Sequence, residues 1–425
     1  MKPTTKLKKT HVFQGLVIQG LALSLMMLGL PAAALAAQSA IWVPSWYAAP
    51  APSGGKADTP AIADMTLRDI VHISAGGDHV RIRLSNAYGK APLTIDAAAL
   101  ARRASGSAIV AGSSRRLTFG GKPAITIPVG AWVLSDPVAL HVAQGSDLAV
   151  DVHVAEAEPD TVHVIQRDAV YAARGNVVGA ETLTTVAAPA NGLWLWLTEV
   201  EVSGSPAKSA AKSAIVAFGD SITDGYHQKP DANTAWPDVL AQRLAAAGTP
   251  MGVINAGIAG NRLLHDGQWP PFGAAGLARF DRDVLAQPNI SSVIVLIGIN
   301  DIGQVMQGVS DPEYESADAI EAGLTQLALR AHERGLKIYA ATLTPFKNTT
   351  IKNYYTDDKE AIRVAVNNWI RTQKVFDGVT DFDKAVEDPA HPGQMLPVFD
   401  SGDHLHPGAA GEAAMAAAIP LAELR

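Results

Sequence analysis

From Ile41 to about Val202 apolar and polar residues alternate in short runs, as in His79-Val80-Arg81-Ile82-Arg83-Leu84, Leu148-Ala149-Val150-Asp151-Val152-His153-Val154 and Leu197-Thr198-Glu199-Val200-Glu201-Val202. A period of two marks strands buried on one face. Turn clusters such as Ala75-Gly76-Gly77-Asp78 and Ser85-Asn86-Ala87-Tyr88-Gly89 separate the runs, and no helical apolar stripe persists. The pattern predicts an antiparallel β-sandwich over 37–202. Residues 203–213, SGSPAKSAAKS, have no apolar period and read as a linker.

Beyond the linker the pattern changes. Apolar runs at Ala214–Phe218, Met251–Asn255, Val293–Ile297 and Lys337–Ala341 predict buried strands. Helical spacing appears near Ala235–Ala247, Glu313–Arg334 and Asp357–Val375, where Ile362, Val366, Trp369 and Ile370 share one face, and a last helix starts at Gly408. Strands alternating with helices call for a parallel sheet between helical layers, an α/β/α domain over 214–425, with ligands at the carboxyl ends of the strands.

The N-terminus fits neither pattern. Lys2, Lys6, Lys8 and Lys9 precede an apolar run from Leu16 to Leu30, then Pro31 and the small residues Ala32–Ala37. That order is a secretory signal peptide over 1–36, cleaved near Ala36, and it predicts a secreted or periplasmic protein without stable membrane insertion after cleavage. An uncleaved membrane anchor is the alternative. Losing the leader removes four lysines and no acid, moving the formal charge from −7 to −11. Nucleic-acid binding is set aside, since no basic cluster follows the leader. With no cysteine, the exported chain is held by its core alone, and some 390 residues suggest two domains.

The strand Ala214–Phe218 runs directly into Gly219-Asp220-Ser221-Ile222-Thr223-Asp224-Gly225, placing a serine where such sheets carry function. A lone serine in a glycine-flanked turn is ordinary. Here two further strands end in comparable loops, Ala256-Gly257-Ile258-Ala259-Gly260-Asn261 and Gly298-Ile299-Asn300-Asp301, and Asp403-His404-Leu405-His406-Pro407 adds a carboxylate and an imidazole. These are the parts needed for acyl transfer.

The four segments, Gly219-Asp220-Ser221, Gly260, Gly298-x-Asn300-Asp301 and Asp403-x-x-His406, resemble in content and order the blocks of the SGNH, or GDSL, hydrolase family, over about half the chain. Asn261-Arg262-Leu263-Leu264 and Ala278–Leu285 are similar to an arylesterase and acylhydrolase subgroup found beside plant polysaccharide-degrading enzymes. Ile222 stands where the family has leucine, a volume-conserving change, and a second histidine lies between Asp403 and His406. The Gly-x-Ser-x-Gly elbow of other serine hydrolases is absent. The resemblance implies a serine esterase with Ser221 as nucleophile, His406 as base and Asp403 orienting it. It also implies an oxyanion hole of the Ser221 and Gly260 N–H groups and the Asn300 side chain.

Other residues read as structural. Asp220 orders its own turn, and Asp301 is given the same part. His404 faces away from His406 if the segment is extended. His227 and His265 read as solvated loop residues that could line the cleft. No metal site is expected, although Asp403-His404-x-His406 could mimic one, and no cofactor is implied. Trp194 and Trp196 fall on one face of a strand opposite Leu193, Leu195 and Leu197. They read as core or interface, with a sugar-stacking platform as the alternative, and Trp42, Trp46 and Trp132 read alike.

The functional expectation is an extracytoplasmic carboxylesterase releasing short acyl groups, acetyl above all, from a carbohydrate or other polar small-molecule or polysaccharide ester. Two alternatives stay open. One is a lipase or arylesterase for longer acyl chains, with Trp269-Pro270-Pro271-Phe272-Gly273 forming an apolar pocket. The other is a glycan-binding sandwich on an inactive hydrolase fold.

Overall fold

A computed structural model describes residues 40–424 except 57, 166, 189–192, 205–210, 212, 250 and 306–310. The signal segment and cleavage point, and most of the linker, lie outside the described residues.

The N-terminal strands build two main antiparallel sheets. One has the order Val43–Tyr47, Leu197–Ser203, Gly77–Ser85, Trp132–Leu134, with Val138–Val142 also on Gly77–Ser85. The other runs Val170–Arg174, Ile62–His72, Asp147–Ala157, Ala97–Ser105, Ala108–Ile109, with Arg115–Arg116 also on Ala97–Ser105. Alternation sets which side faces in. Val80, Ile82, Leu84, Val200 and Val202 of the first sheet share one core with Leu148, Val150, Val152 and Val154 of the second. This is a sandwich core.

The outward polar positions are buried too. Arg68 pairs with Asp151 through two bonds of 2.6 and 2.7 Å, and Gly179 N–H donates to Asp151 at 2.7 Å. On the opposite sheet Arg83 and Arg81 pair with the buried Glu199 and Glu201, and Arg83 reaches Gln287 of the C-terminal half at 3.1 Å. Period-two polarity therefore marks two faces here, but neither is simply wet.

The tryptophan pair departs from the alternation. Trp194 and Trp196 are 1% and 2% exposed, and Leu195 and Leu197 are equally buried. Trp196 has φ +63°, and at this residue the chain leaves a small sheet (Ala51–Pro52, Thr161–His163, Trp194–Leu195) to join the five-stranded one. A left-handed residue breaks the two-residue repeat, and both rings lie in the sandwich core, so they offer no stacking platform. Trp42 and Trp46 are also core, whereas Trp132 is 46% exposed with the Arg83 guanidinium 4.4 Å over its ring.

In the C-terminal half a five-stranded parallel sheet has the spatial order Gly252–Gly257, Ala214–Gly219, Ile290–Leu296, Lys337–Ala341, Gly378–Thr380. In chain order this is 2-1-3-4-5. Right-handed crossovers running in opposite directions from the first strand put helices on both faces. Trp236–Ala246 accordingly packs with Ala409–Ala418, and Ala317–Glu333 with Asp357–Thr372. Ser316 and Thr356 cap the last two through the N–H groups of Ala319 and Lys359. The helix Trp236–Ala246 has no cap of its own, and Glu412 accepts the Trp236 N–H at 2.7 Å instead. No helix among the described residues is long and apolar enough to cross a membrane.

The sandwich and the parallel sheet lie within one compact unit, residues 40–425. Strand Val43–Tyr47 runs beside Gly252–Gly257, and a side chain at Gly252 would collide with the Pro44 carbonyl. Arg279, Arg282 and Tyr47 converge on the buried Asp283 at 2.6–3.1 Å, while Arg282 also donates to Tyr88 Oη and the Pro50 carbonyl.

Candidate active site

Strand order decides where the loops meet. The first and third strands lie side by side and their connections leave on opposite faces, so a crevice opens at their carboxyl ends. Ser221 follows the first strand and Asn300 the third, with Gly260 beyond the second.

Asp220 caps the one-turn helix Ser221–Asp224 by accepting the Ile222 N–H at 3.1 Å, the local role its position suggested. Burial pushes its carboxyl up to about 7. Ser221 is thereby the first helical residue, and its N–H meets no acceptor among the described residues. The same holds for Gly260 N–H. Gly260 has φ +74°, and a Cβ there would strike the Phe272 ring. Only glycine fits both demands.

The C-terminal turn brings the base. His406 Nδ1 lies 2.6 Å from Asp403 Oδ2, and Nε2 lies 2.8 Å from Ser221 Oγ. A carboxylate only accepts, so the proton sits on Nδ1 and Nε2 accepts from the serine hydroxyl. Asp403 Oδ1 accepts the backbone N–H groups of Leu405 and His406 at 3.0 and 2.9 Å. Burial works to raise the Asp403 pKa, but hydrogen bonding and charge from His406, with the two backbone donors, outweigh it and hold the carboxyl well below its usual range.

His404 is not in an extended segment: its φ is +59° and its ring pairs with Asp400, away from Ser221. His227 differs from expectation. Though its side chain is 43% exposed, Nε2 donates to Asp403 Oδ2 at 3.2 Å, and the ring packs with Tyr226, which in turn packs at a tilt against His406. His265 is not free either, pairing with Glu315 at 2.7 Å. His227, Asp403 and His406 offer ligand atoms within 4.8 Å of one another, and His406 Nδ1 and Asp403 Oδ2 already bond each other.

Asn300 Nδ2 gives one hydrogen to the Asn261 carbonyl at 3.0 Å, leaving the other directed elsewhere. Its Oδ1 accepts from Tyr354 Oη at 2.8 Å and Gln304 Nε2 at 3.0 Å, which fixes the amide's orientation. The Tyr354 ring occupies the space where Gly303 has no side chain. Asp301 does not order its own loop, as its place in Gly298-x-Asn300-Asp301 suggested. It accepts the N–H groups of Leu263 and Leu264 at 2.7 and 2.9 Å and so anchors the segment after Gly260. Burial lifts its carboxyl to about 6 despite those two donors.

Arg279, fully buried, donates to the carbonyls of Gly219 and Ala256 and to Asn261 Oδ1 at 2.7, 2.8 and 2.9 Å. It ties the serine turn to the Gly260 loop. Ser221, Gly260, Asn300 and His406 open into one pocket of about 320 Å³, walled by Tyr226, Phe272, Ile351, Tyr354 and Leu405.

Residues 217–414 match the model of the GDSL-like lipase/acylhydrolase family. The C-terminal half belongs to that family. The protein is therefore a carboxylic ester hydrolase. Among solved structures, a lipase/acylhydrolase from Enterococcus faecalis is 24% identical, with 48% of this chain and 92% of that one covered and a TM-score of 0.37. A catalytic mutant of an acetylxylan esterase from Geobacillus stearothermophilus is 22% identical over 50% of this chain and 94% of that one, TM-score 0.38. A GDSL-like lipase from Bacteroides thetaiotaomicron is 18% identical over 50% and 87%, TM-score 0.35. No curated protein matches the chain.

Proposed function

We propose that Ser221 attacks the ester carbonyl, with His406 taking its proton and Asp403 stabilising the imidazolium. The acyl-serine then forms as His406 returns the proton to the leaving alcohol, and water, activated by the same imidazole, releases the acid. The observation that carries this reading is the continuous chain from Ser221 Oγ to His406 at 2.8 Å and on to Asp403 at 2.6 Å. The unpaired N–H groups of Ser221 and Gly260 and the second Asn300 Nδ2 hydrogen supply donors for the oxyanion, each worth roughly 3 kcal/mol in barrier height.

The preferred substrate is a short-chain ester, acetyl foremost, of a carbohydrate or other polar alcohol. Phe272 lies against Gly260, beside the oxyanion donors, and limits the room for an acyl chain. The apolar wall of Tyr226, Ile351, Tyr354 and Leu405 favours a second reading, an aryl or longer acyl ester. The leader segment supports action outside the cytoplasm.

A series of p-nitrophenyl esters from acetate to octanoate, with acetate release from acetylated polysaccharides, tests the choice. Highest kcat/KM on acetate together with acetate released from a glycan supports the first reading. A maximum at longer chains, with no glycan deacetylation, supports the second.

A further inference from the structure

Asp224 closes the helical turn that starts at Ser221, and its carboxylate is completely buried. Oδ2 accepts the Ala259 N–H at 3.0 Å, one residue before Gly260. A side chain at Gly257 would collide with the Asp224 backbone, so the second strand passes tightly against this turn. Asp224 thus joins the nucleophile turn to the loop that carries an oxyanion donor.

Its other oxygen is held from outside the hydrolase sheet. His163, in the sandwich strand Thr161–His163, places Nε2 3.0 Å from Asp224 Oδ1 and Nδ1 2.9 Å from the Ala49 carbonyl. Both partners are acceptors, so the imidazole and carboxylate together hold a proton on each hydrogen bond. His163 is 3% exposed and stacks on Trp194 at 5.8 Å, and Trp46 meets Trp194 edge-on at 4.9 Å. Packing of this kind leaves the ring one position.

The geometry points to His163 as a positioning residue for ester hydrolysis: the sandwich supplies a buried strut that fixes Asp224 and, through the Ala259 N–H, sets the Gly260 N–H on the oxyanion. The inference rests on the serine-hydrolase reading above. It gives the sandwich a part in catalysis that requires no ligand of its own. A misplacement near 1 Å at a reacting centre costs on the order of 100-fold in rate, and a donor used mainly in the transition state affects kcat more than KM.

The test measures kcat, KM and thermal unfolding on p-nitrophenyl acetate for the full chain, His163→Leu, His163→Gln and Ser221→Ala. His163→Leu is expected to lose roughly 10- to 100-fold in kcat with KM changed less than about twofold. His163→Gln, which keeps an N–H for Asp224 Oδ1, is expected to recover part of that loss. A folded His163→Leu with wild-type kcat overturns the proposal, as does a loss carried by KM alone. Failure of both His163 variants to fold also overturns it, making the contact a structural tie only. An inactive wild type, or an active Ser221→Ala, instead refutes the serine-hydrolase reading and is visible in the same assay.

Discussion

Replacing Tyr354 by Phe removes one oxygen from the molecule while leaving the ring in the space beside Gly303. The lost hydroxyl is the 2.8 Å donor to Asn300 Oδ1, and Gln304 at 3.0 Å remains as the other anchor. A buried neutral hydrogen bond contributes about 1 kcal/mol net. That is the bias lost between the amide presenting Nδ2 to the oxyanion and the flipped amide presenting oxygen. The expected consequence is a fall in kcat of roughly 5- to 10-fold with KM little changed. Asn300→Ala removes the donor itself and is expected to cost about 100- to 1,000-fold. Kinetics on p-nitrophenyl acetate for both single variants and the double variant decide the matter. If Tyr354 acts through Asn300, adding Tyr354→Phe to Asn300→Ala changes kcat no further. Fully additive losses would refute the reasoning, as would a Tyr354→Phe enzyme with unaltered kcat.

Asp403→Asn is expected to lower kcat by about 10⁴-fold with the fold retained, because the imidazole is then held in the wrong tautomer; a loss under tenfold contradicts that role. Phe272→Ala should raise the kcat/KM of octanoate relative to acetate esters by about 10-fold, since it clears space beside Gly260, and an unchanged ratio would mean the ring does not limit the acyl chain. Asp69, in the sandwich, concerns stability: burial and the charge of Asp151 push its carboxyl up to about 8, and its Oδ1 has no partner among the described residues. Because the unfolded chain releases that proton near pH 4, the share of stability that Asp69 contributes falls as pH rises from about 4 to 8, by up to about 4 kcal/mol at pH 7. Asp69→Asn should remove that slope in urea unfolding at pH 5 and pH 8, whereas a pH-independent difference from wild type would contradict it.

How far the sequence carries depends on whether a signal is local. The strand Lys337–Ala341 and the helix starting at Asp357 coincide with their apolar patterns, because the strand is buried on both faces and the helix on one continuous face. Gly378–Thr380 escapes notice, since three residues at a sheet edge show no period. Ser221, Asp403, His406, Gly260 and Asn300 each sit in a short glycine- or histidine-bearing motif that a sequence displays; the fold brings Ser221, Gly260, Asn300 and His406 to one pocket and sets Asp403 behind His406. Tyr354 and Gln304, which orient Asn300, carry no motif of their own. Asp301 was legible as a residue but not in its work, because its partners Leu263 and Leu264 lie in another loop. His227 looked like a solvated loop histidine, and only the turn at Tyr226 and the distant Asp403 bring it to the site. Trp194 and Trp196 are core, as their apolar surroundings suggest, although the left-handed backbone at Trp196 interrupts the alternation. His163, 61 residues from Asp224, is invisible to any local pattern.

The central claim is that Ser221 is the nucleophile served by His406, and turnover of p-nitrophenyl acetate by Ser221→Ala beside wild type tests it most directly. The account predicts a fall of about 10⁶-fold in kcat with an unchanged melting temperature. Wild-type turnover in folded Ser221→Ala would contradict it.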